Sequence, residues 1–229
     1  MLWRLVSTSS AVSALPAEGQ FLSEVSGVMR QTPWNSDLKL PWKDIKKVWD
    51  GYWDQDKPLL LEKSPPNLIR VDEIVAHFHP VHFLIMVRSP YAHCHSLMRR
   101  NNSSPRKAAE FTVRCMKQQW KNAEKLDNKL CFTYEQLATN PESISLEIQS
   151  FIPQLGELDH MQKFNVHSIG GVVEKGIVDL NKKKIQNLSV DDFEQINQIL
   201  RRNADVMAYW NYEFLDHSRA QQDRIEISD

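Results

Sequence analysis

Residues 83–87, FLIMV, form an apolar run that stops at Arg88 and is followed by Ser89 and Pro90. A run this short does not make a buried helix; it fits a strand covered on both faces. PLLLEK (58–63) repeats the pattern, framed by Pro58 and by Ser64-Pro65-Pro66, and KLCFTY (129–134) supplies a further strand. Between these runs, 68–77, 91–100, 106–126 and 141–152 have helical spacing, as do 2–6, 21–29 and 190–208, and a small strand is expected at 11–14. The helix at 106–126 aligns Phe111, Cys115, Met116, Trp120 and Ala123 on one face, and Ser189 with Asp191 and Asp192 opens the last helix. Residues 163–188 read as a loop carrying Gly170-Gly171. Short apolar strands alternating with helices predict an α/β fold: a three-layer parallel sheet flanked by helices, in a single domain over 1–215 with a polar tail at 216–229.

Composition narrows the function more by exclusion than by assignment. The chain of 229 residues is 41% hydrophobic with a net charge of −1, so nothing biases the whole surface toward nucleic acid, and an anion site has to be local. Its three cysteines, Cys94, Cys115 and Cys131, lack the spacing of a disulfide framework or a zinc ribbon. No apolar run approaches the roughly 20 residues that span a bilayer. Seven glycines are few for a nucleotide-binding α/β protein.

In open parallel sheets, ligands bind beyond the C-terminal strand ends. Lys63 and Arg88 both stand at such ends. A single cation there ordinarily pairs with a surface carboxylate. Two on neighbouring strands repel unless an anion lies between them. Ser96, eight residues beyond Arg88 and inside the next helix, adds a hydroxyl to the planar fork of the guanidinium.

The stretch EKSPPNLIR…FHPVHFLIMVRSPYAHCHSLMRR resembles the central part of the sulfotransferases that use 3′-phosphoadenosine 5′-phosphosulfate (PAPS), which have a P-loop-like α/β fold. The resemblance implies that Arg88 and Ser96 bind the 3′-phosphate of the donor and that Lys63 lies against the sulfonate and its bridging oxygen. TYEQLATNPESI (133–144) is similar to the family's Tyr-Glu-Asp-Leu segment, which brings Tyr134 to the nucleotide. HSIGG (167–171), with Lys175 and Gly176 behind it, looks like the late loop that closes over the nucleotide, implying roles for Gly170, Gly171 and Lys175. LWRLVSTSSAVSALPAEGQF resembles the family's first helix, small-residue loop and general base, and Glu18 takes the last position. The glycine-rich loop for the 5′-phosphosulfate is expected just before Met1, together with the first strand. Met1 then reads as an internal methionine of a longer protein, or the chain as a truncated product.

The resemblance implies sulfonate transfer from PAPS to a hydroxyl or amine of an acceptor (a carbohydrate, a protein or a small molecule), with no metal and no nucleic acid involved. The competing reading is a pseudoenzyme that binds the 3′-phosphoadenosine nucleotide without catalysis. A small-molecule kinase fits less well, because nothing resembles magnesium ligands after a strand. The histidines of HFHPVH (77–82), with His93 and His95, are too loosely spaced for a metal site. Trp34, Trp42, Trp49 and Trp53 fill the core of an insertion at 34–57 or, on a sharper reading, line an acceptor wall. Lys182-Lys183-Lys184 reads as a solvated face that adds positive potential near the late loop.

Overall fold

A computed structural model describes residues 1–168 and 171–222. Along the chain run α1 (Leu2–Val6), β1 (Val12–Ala14), α2 (Ser23–Met29), α3 (Trp42–Tyr52), β2 (Leu59–Leu61), α4 (Val71–His77), β3 (Phe83–Val87), α5 (Pro90–Asn101) and α6 (Pro105–Lys125). There follow β4 (Lys129–Thr133), α7 (Tyr134–Thr139), α8 (Pro141–Phe151), β5 (Phe164–Ser168), β6 (Gly171–Lys175), α9 (Asn181–Gln186), α10 (Val190–Arg201), α11 (Ala204–Tyr209) and α12 (His217–Gln222). Gly170 lies outside the described residues, and nothing is described of the Lys175 side chain within β6. No helix among the described residues is long and apolar enough to cross a membrane.

The result is a mixed helix-and-strand protein. Among the described residues the strands form two-stranded ladders, β1 with β2, β3 with β4, and β5 with β6. Within these ladders β2 has β1 as its partner and β3 has β4. β2 is not covered on both faces: Leu60 is 41% exposed.

The chain forms two compact units. The first comprises Met1–Leu84, Asn128–Leu130 and Asn140–Ile177. Its core joins Leu15, Leu22, Val25 and Met29 to Trp42, Ile45, Trp49 and Trp53. On α3, Trp42, Ile45 and Trp49 recur at three-and-four spacing, and their burial accounts for the helix better than propensity does. Trp49 sits at the centre, its ring 5.9 Å from Trp42, 5.8 Å from Trp53 and 5.6 Å from Phe78. These indoles are spent on one another, so Trp42, Trp49 and Trp53 are core side chains and form no exposed wall. The β1–β2 ladder is parallel, pairing Val12 with Leu59 and Ala14 with Leu61. Both strands therefore end at the same edge. Phe164–Ser168 and Gly171–Lys175, expected to be loop, pair as the antiparallel strands β5 and β6.

The second unit comprises Ile85–Asp127, Cys131–Thr139 and Val178–Asp229. α5 and α10 both pack against α6. The buried face of α6 carries Ala108, Ala109, Thr112, Val113, Met116 and Ala123. It is rotated from the expected stripe: Phe111, Cys115 and Trp120 are only half-buried at its margin, because the small Ala108 and Ala109 take the tightest positions. α10 starts where Ser189 predicts, in a capping box with Asp192. The single helix expected over 190–208 breaks before Asn203, whose side-chain amide donates to the Ile199 carbonyl at 2.8 Å and competes with the helical ladder.

Gly19 lies against Trp49 so closely that a Cβ there would stand 2.6 Å from Trp49 Cε2. Gly19→Ala is expected to destabilise the protein by about 1–3 kcal/mol through overpacking. Urea unfolding measures this, and an unchanged midpoint would show that the indole yields without cost.

Candidate functional site

Side chains with chemistry gather in two places, one in each unit. In the first unit the parallel pairing of β1 and β2 does the placing. Leaving the shared edge, the chain reaches Glu18 shortly after Ala14 and Lys63 shortly after Leu61. The Lys63 ammonium and the Glu18 carboxylate form an ion pair, with Lys63 half-exposed and Glu18 largely covered. Gln20 Nε2 donates to Glu18 Oε2 at 2.6 Å. Thus the expected base and the expected sulfonate-contacting lysine are brought together.

Glu62, which sequence reasoning passed over, fixes this loop. Its Oε1 accepts from the Gly19 backbone N–H at 2.9 Å and from the Ser64 hydroxyl at 2.5 Å, while Oε2 accepts from the Asn67 amide. Burial pushes the Glu62 carboxyl up, and these donors from Ser64, Gly19 and Asn67 pull it partly back. One carboxylate so ties the backbone beside Glu18 to the segment following Lys63. A Glu closing an apolar run just before a strand-end lysine was the available signal.

In the second unit, Arg88 leaves the end of β3 and its guanidinium lies over the Tyr134 ring, 4.3 Å from the centroid. Nε donates to Asn181 Oδ1 at 2.6 Å. One terminal nitrogen, NH2, is buried and has no hydrogen-bond partner among the described residues. Burial pulls the guanidinium below its ordinary range, opposed by Tyr134, Glu135 and Asp179.

Behind Arg88, Glu135 organises the neighbourhood. It accepts from the Ser89 backbone N–H at 2.8 Å, from the Asn181 amide, and from the Tyr212 hydroxyl at 2.7 Å. Burial, with Glu135 alongside, drives the Tyr212 hydroxyl well above its usual range, so it stays a donor. Tyr134, expected at the nucleotide, uses its hydroxyl locally: it donates to the Val178 carbonyl and accepts from the Leu180 N–H, both at 3.1 Å. Its ring supports Arg88.

Ser96 stands on α5, one turn after Ala92 and one before Arg100. Its hydroxyl donates to the Ala92 carbonyl at 2.9 Å and accepts from Lys184 Nζ at 2.9 Å. Arg88 and Arg100 both depress the Lys184 ammonium, after burial, to about 8. His93, on the same helix, is pushed down to about 4 by burial and then by Arg88, Arg100 and Lys184, and its Nδ1 is 3.1 Å from the Thr112 hydroxyl. No ion pair joins Arg88, Arg100 or Lys184 to a carboxylate among the described residues. Cations gathered around a serine, with a buried guanidinium N–H unpaired, make a site suited to an anion. Arg88 and Ser96 were legible in the sequence; Lys184 was read only as surface charge, and Asn181, Glu135 and Tyr212 were not seen.

Cys94 on α5 is no nucleophile: it is buried and its thiol is pushed up to about 12. Of the expected late-loop residues, Gly170 lies outside the described residues, and Gly171 and Lys175 are placed only as members of β6.

His93 gives the cluster a signature in stability. Its folded value is depressed from 6.5 to about 4, so the unfolded chain takes up a proton that the folded state refuses, and stability is lost as pH falls through that interval. The loss is expected to be on the order of 2–3 kcal/mol. His93→Gln, which keeps a polar partner for Thr112, should unfold in urea with a correspondingly flatter profile. A profile unchanged by the substitution would mean that folded His93 accepts the proton.

No protein-family model matches the sequence, and no curated protein matches it. Among solved structures, the chain is similar to a sulfotransferase domain from the curacin biosynthetic pathway, with 17% sequence identity and a TM-score of 0.46, over 86% of this chain and 77% of that one. The likeness is too distant to decide fold or function.

Proposed function

We propose that this protein is a sulfotransferase that moves a sulfonate group from PAPS to a hydroxyl or amine of an acceptor, and with this goes the three-layer, phosphate-loop-like sheet that the sequence resembles. The observation that carries the reading is the Arg88 site: a part-buried guanidinium at a strand end with one buried, unpaired nitrogen, and Ser96 beside further cations. A phosphate monoester fits it. Arg88 offers the fork that matches two phosphate oxygens, and Ser96 a hydroxyl. In this reading the 3′-phosphate of the nucleotide occupies that site.

Sulfuryl transfer passes a flat, electron-poor group between two oxygens in line, so positioning and charge stabilisation dominate. Glu18 takes the proton from the acceptor, and Lys63 neutralises negative charge growing on the leaving phosphate oxygen. Their ion pair and the Glu62 clamp on Gly19 support these roles, since both hold the groups in a defined place.

Two measurements test the proposal. 3′-Phosphoadenosine 5′-phosphate (PAP) at about 100 times its dissociation constant should stabilise the protein by roughly 2.7 kcal/mol, a rise of about 5–10 °C in Tm for a chain of this size. Arg88→Ala should abolish the rise, and an undiminished rise in that variant would remove Arg88 from the site. Glu18→Gln should keep the PAP shift and lose PAP release from PAPS across a panel of hydroxyl and amine acceptors. Full turnover in Glu18→Gln would assign the base elsewhere, and PAP binding without turnover in the wild type would leave only the nucleotide-binding function.

A further inference from the structure

α9 packs against α5 and against α12. Its first residue, Asn181, holds Arg88 Nε, and Lys184, three positions on and so on the same face, holds Ser96. The Ser96 proton is already committed to the Ala92 carbonyl, so the oxygen is what meets the ammonium. The Lys184 ammonium has no other hydrogen bond or ion pair among the described residues. A half-buried lysine usually reaches for a carboxylate or for water. This one turns inward, toward Arg88 and Arg100, where each neighbouring charge opposes its own.

We infer that Lys184 is a binding residue for the phosphate monoester held by Arg88 and Ser96, and that its ammonium makes retention of that phosphate depend on a single proton. The inference deepens the proposed function and rests on it only for the choice of nucleotide. A dianion entering between these cations relieves their repulsion and restores the Lys184 ammonium, so binding takes up a proton wherever the free protein has lost one. Because that loss is centred near 8, affinity falls as pH rises through and above this value. The two guanidiniums keep their charge throughout. Other titratable and charged groups on α9 and on the helices packed against it are His93, His95 and Arg99 on α5, Lys182 and Lys183 on α9, and His217 and Arg219 on α12; Arg219 is paired to Glu213, Asp192 of α10 acts on His95, and Glu135 and Asp179 act on Arg88. His93 and His95 are both displaced downward, away from the window that matters.

The test is calorimetric titration of PAP at fixed ionic strength between about pH 7 and about pH 9.5, where the phosphate monoester is already dianionic. Wild type should weaken roughly tenfold across the range, Lys184→Arg should stay flat, and Lys184→Ala should start roughly tenfold weaker and also stay flat. Wild-type affinity in Lys184→Ala, or an equal slope in wild type and Lys184→Arg, would overturn the inference. A parallel titration with inorganic phosphate separates the two readings. If phosphate binds through Lys184 while PAP does not bind, the nucleotide assignment falls and Lys184 stands. If neither anion binds the wild type, both fall.

Discussion

Positive charges drawn together with no direct ion pair among the described residues are the constraint on which this structure turns. Burial, reinforced by Arg88 and Arg100, depresses the Lys184 ammonium, and burial with these cations and Lys184 depresses His93. A fold tolerates that only if other interactions over-determine the positions. Here Glu135 supplies them, satisfied by Ser89, Asn181 and Tyr212, with Asn181 passing the order on to Arg88. The network fixes one face of the guanidinium and leaves another donor unpaired. Strain of this kind at a strand end is characteristic of binding sites, where the ligand completes the electrostatics.

The other cluster is built by a different device. Parallel pairing of very short strands brings two chain segments to one edge, and a buried carboxylate, Glu62, then locks the backbone next to Glu18. Close packing finishes the work, because Gly19 leaves no room between that backbone and the Trp49 ring. The indole core and the Glu18–Lys63 pair are thus joined by a few residues of loop, and the tryptophans matter to the site through position alone.

What the sequence made legible follows from the range of the interactions. Arg88 and Ser96 lie within one strand–turn–helix segment, so local spacing placed them. Asn181 meets Arg88 across 93 positions and Lys184 meets Ser96 across 88, pairings that no local pattern encodes. The apolar strands and most helices were readable from period and length, as was the Ser189 cap. Which strands pair was not: β2 chose β1 and β3 chose β4, and register is settled by partners remote in sequence. The β5–β6 pairing was missed although the Val-containing runs on either side were a usable strand signal. The face of α6 was misjudged because large apolar residues were weighted over the small alanines that allow helices to approach.

The central claim is that the Arg88 site recognises a phosphate on the ribose of an adenine nucleotide. It is tested most directly by comparing the affinities of PAP and adenosine 5′-monophosphate, which differ in the 3′-phosphate alone, for wild type and for Arg88→Ala. The account predicts that wild type prefers PAP by at least about tenfold, roughly 1.4 kcal/mol, and that the preference disappears in the variant. Equal affinities in the wild type, or a preference that survives the loss of Arg88, would contradict it.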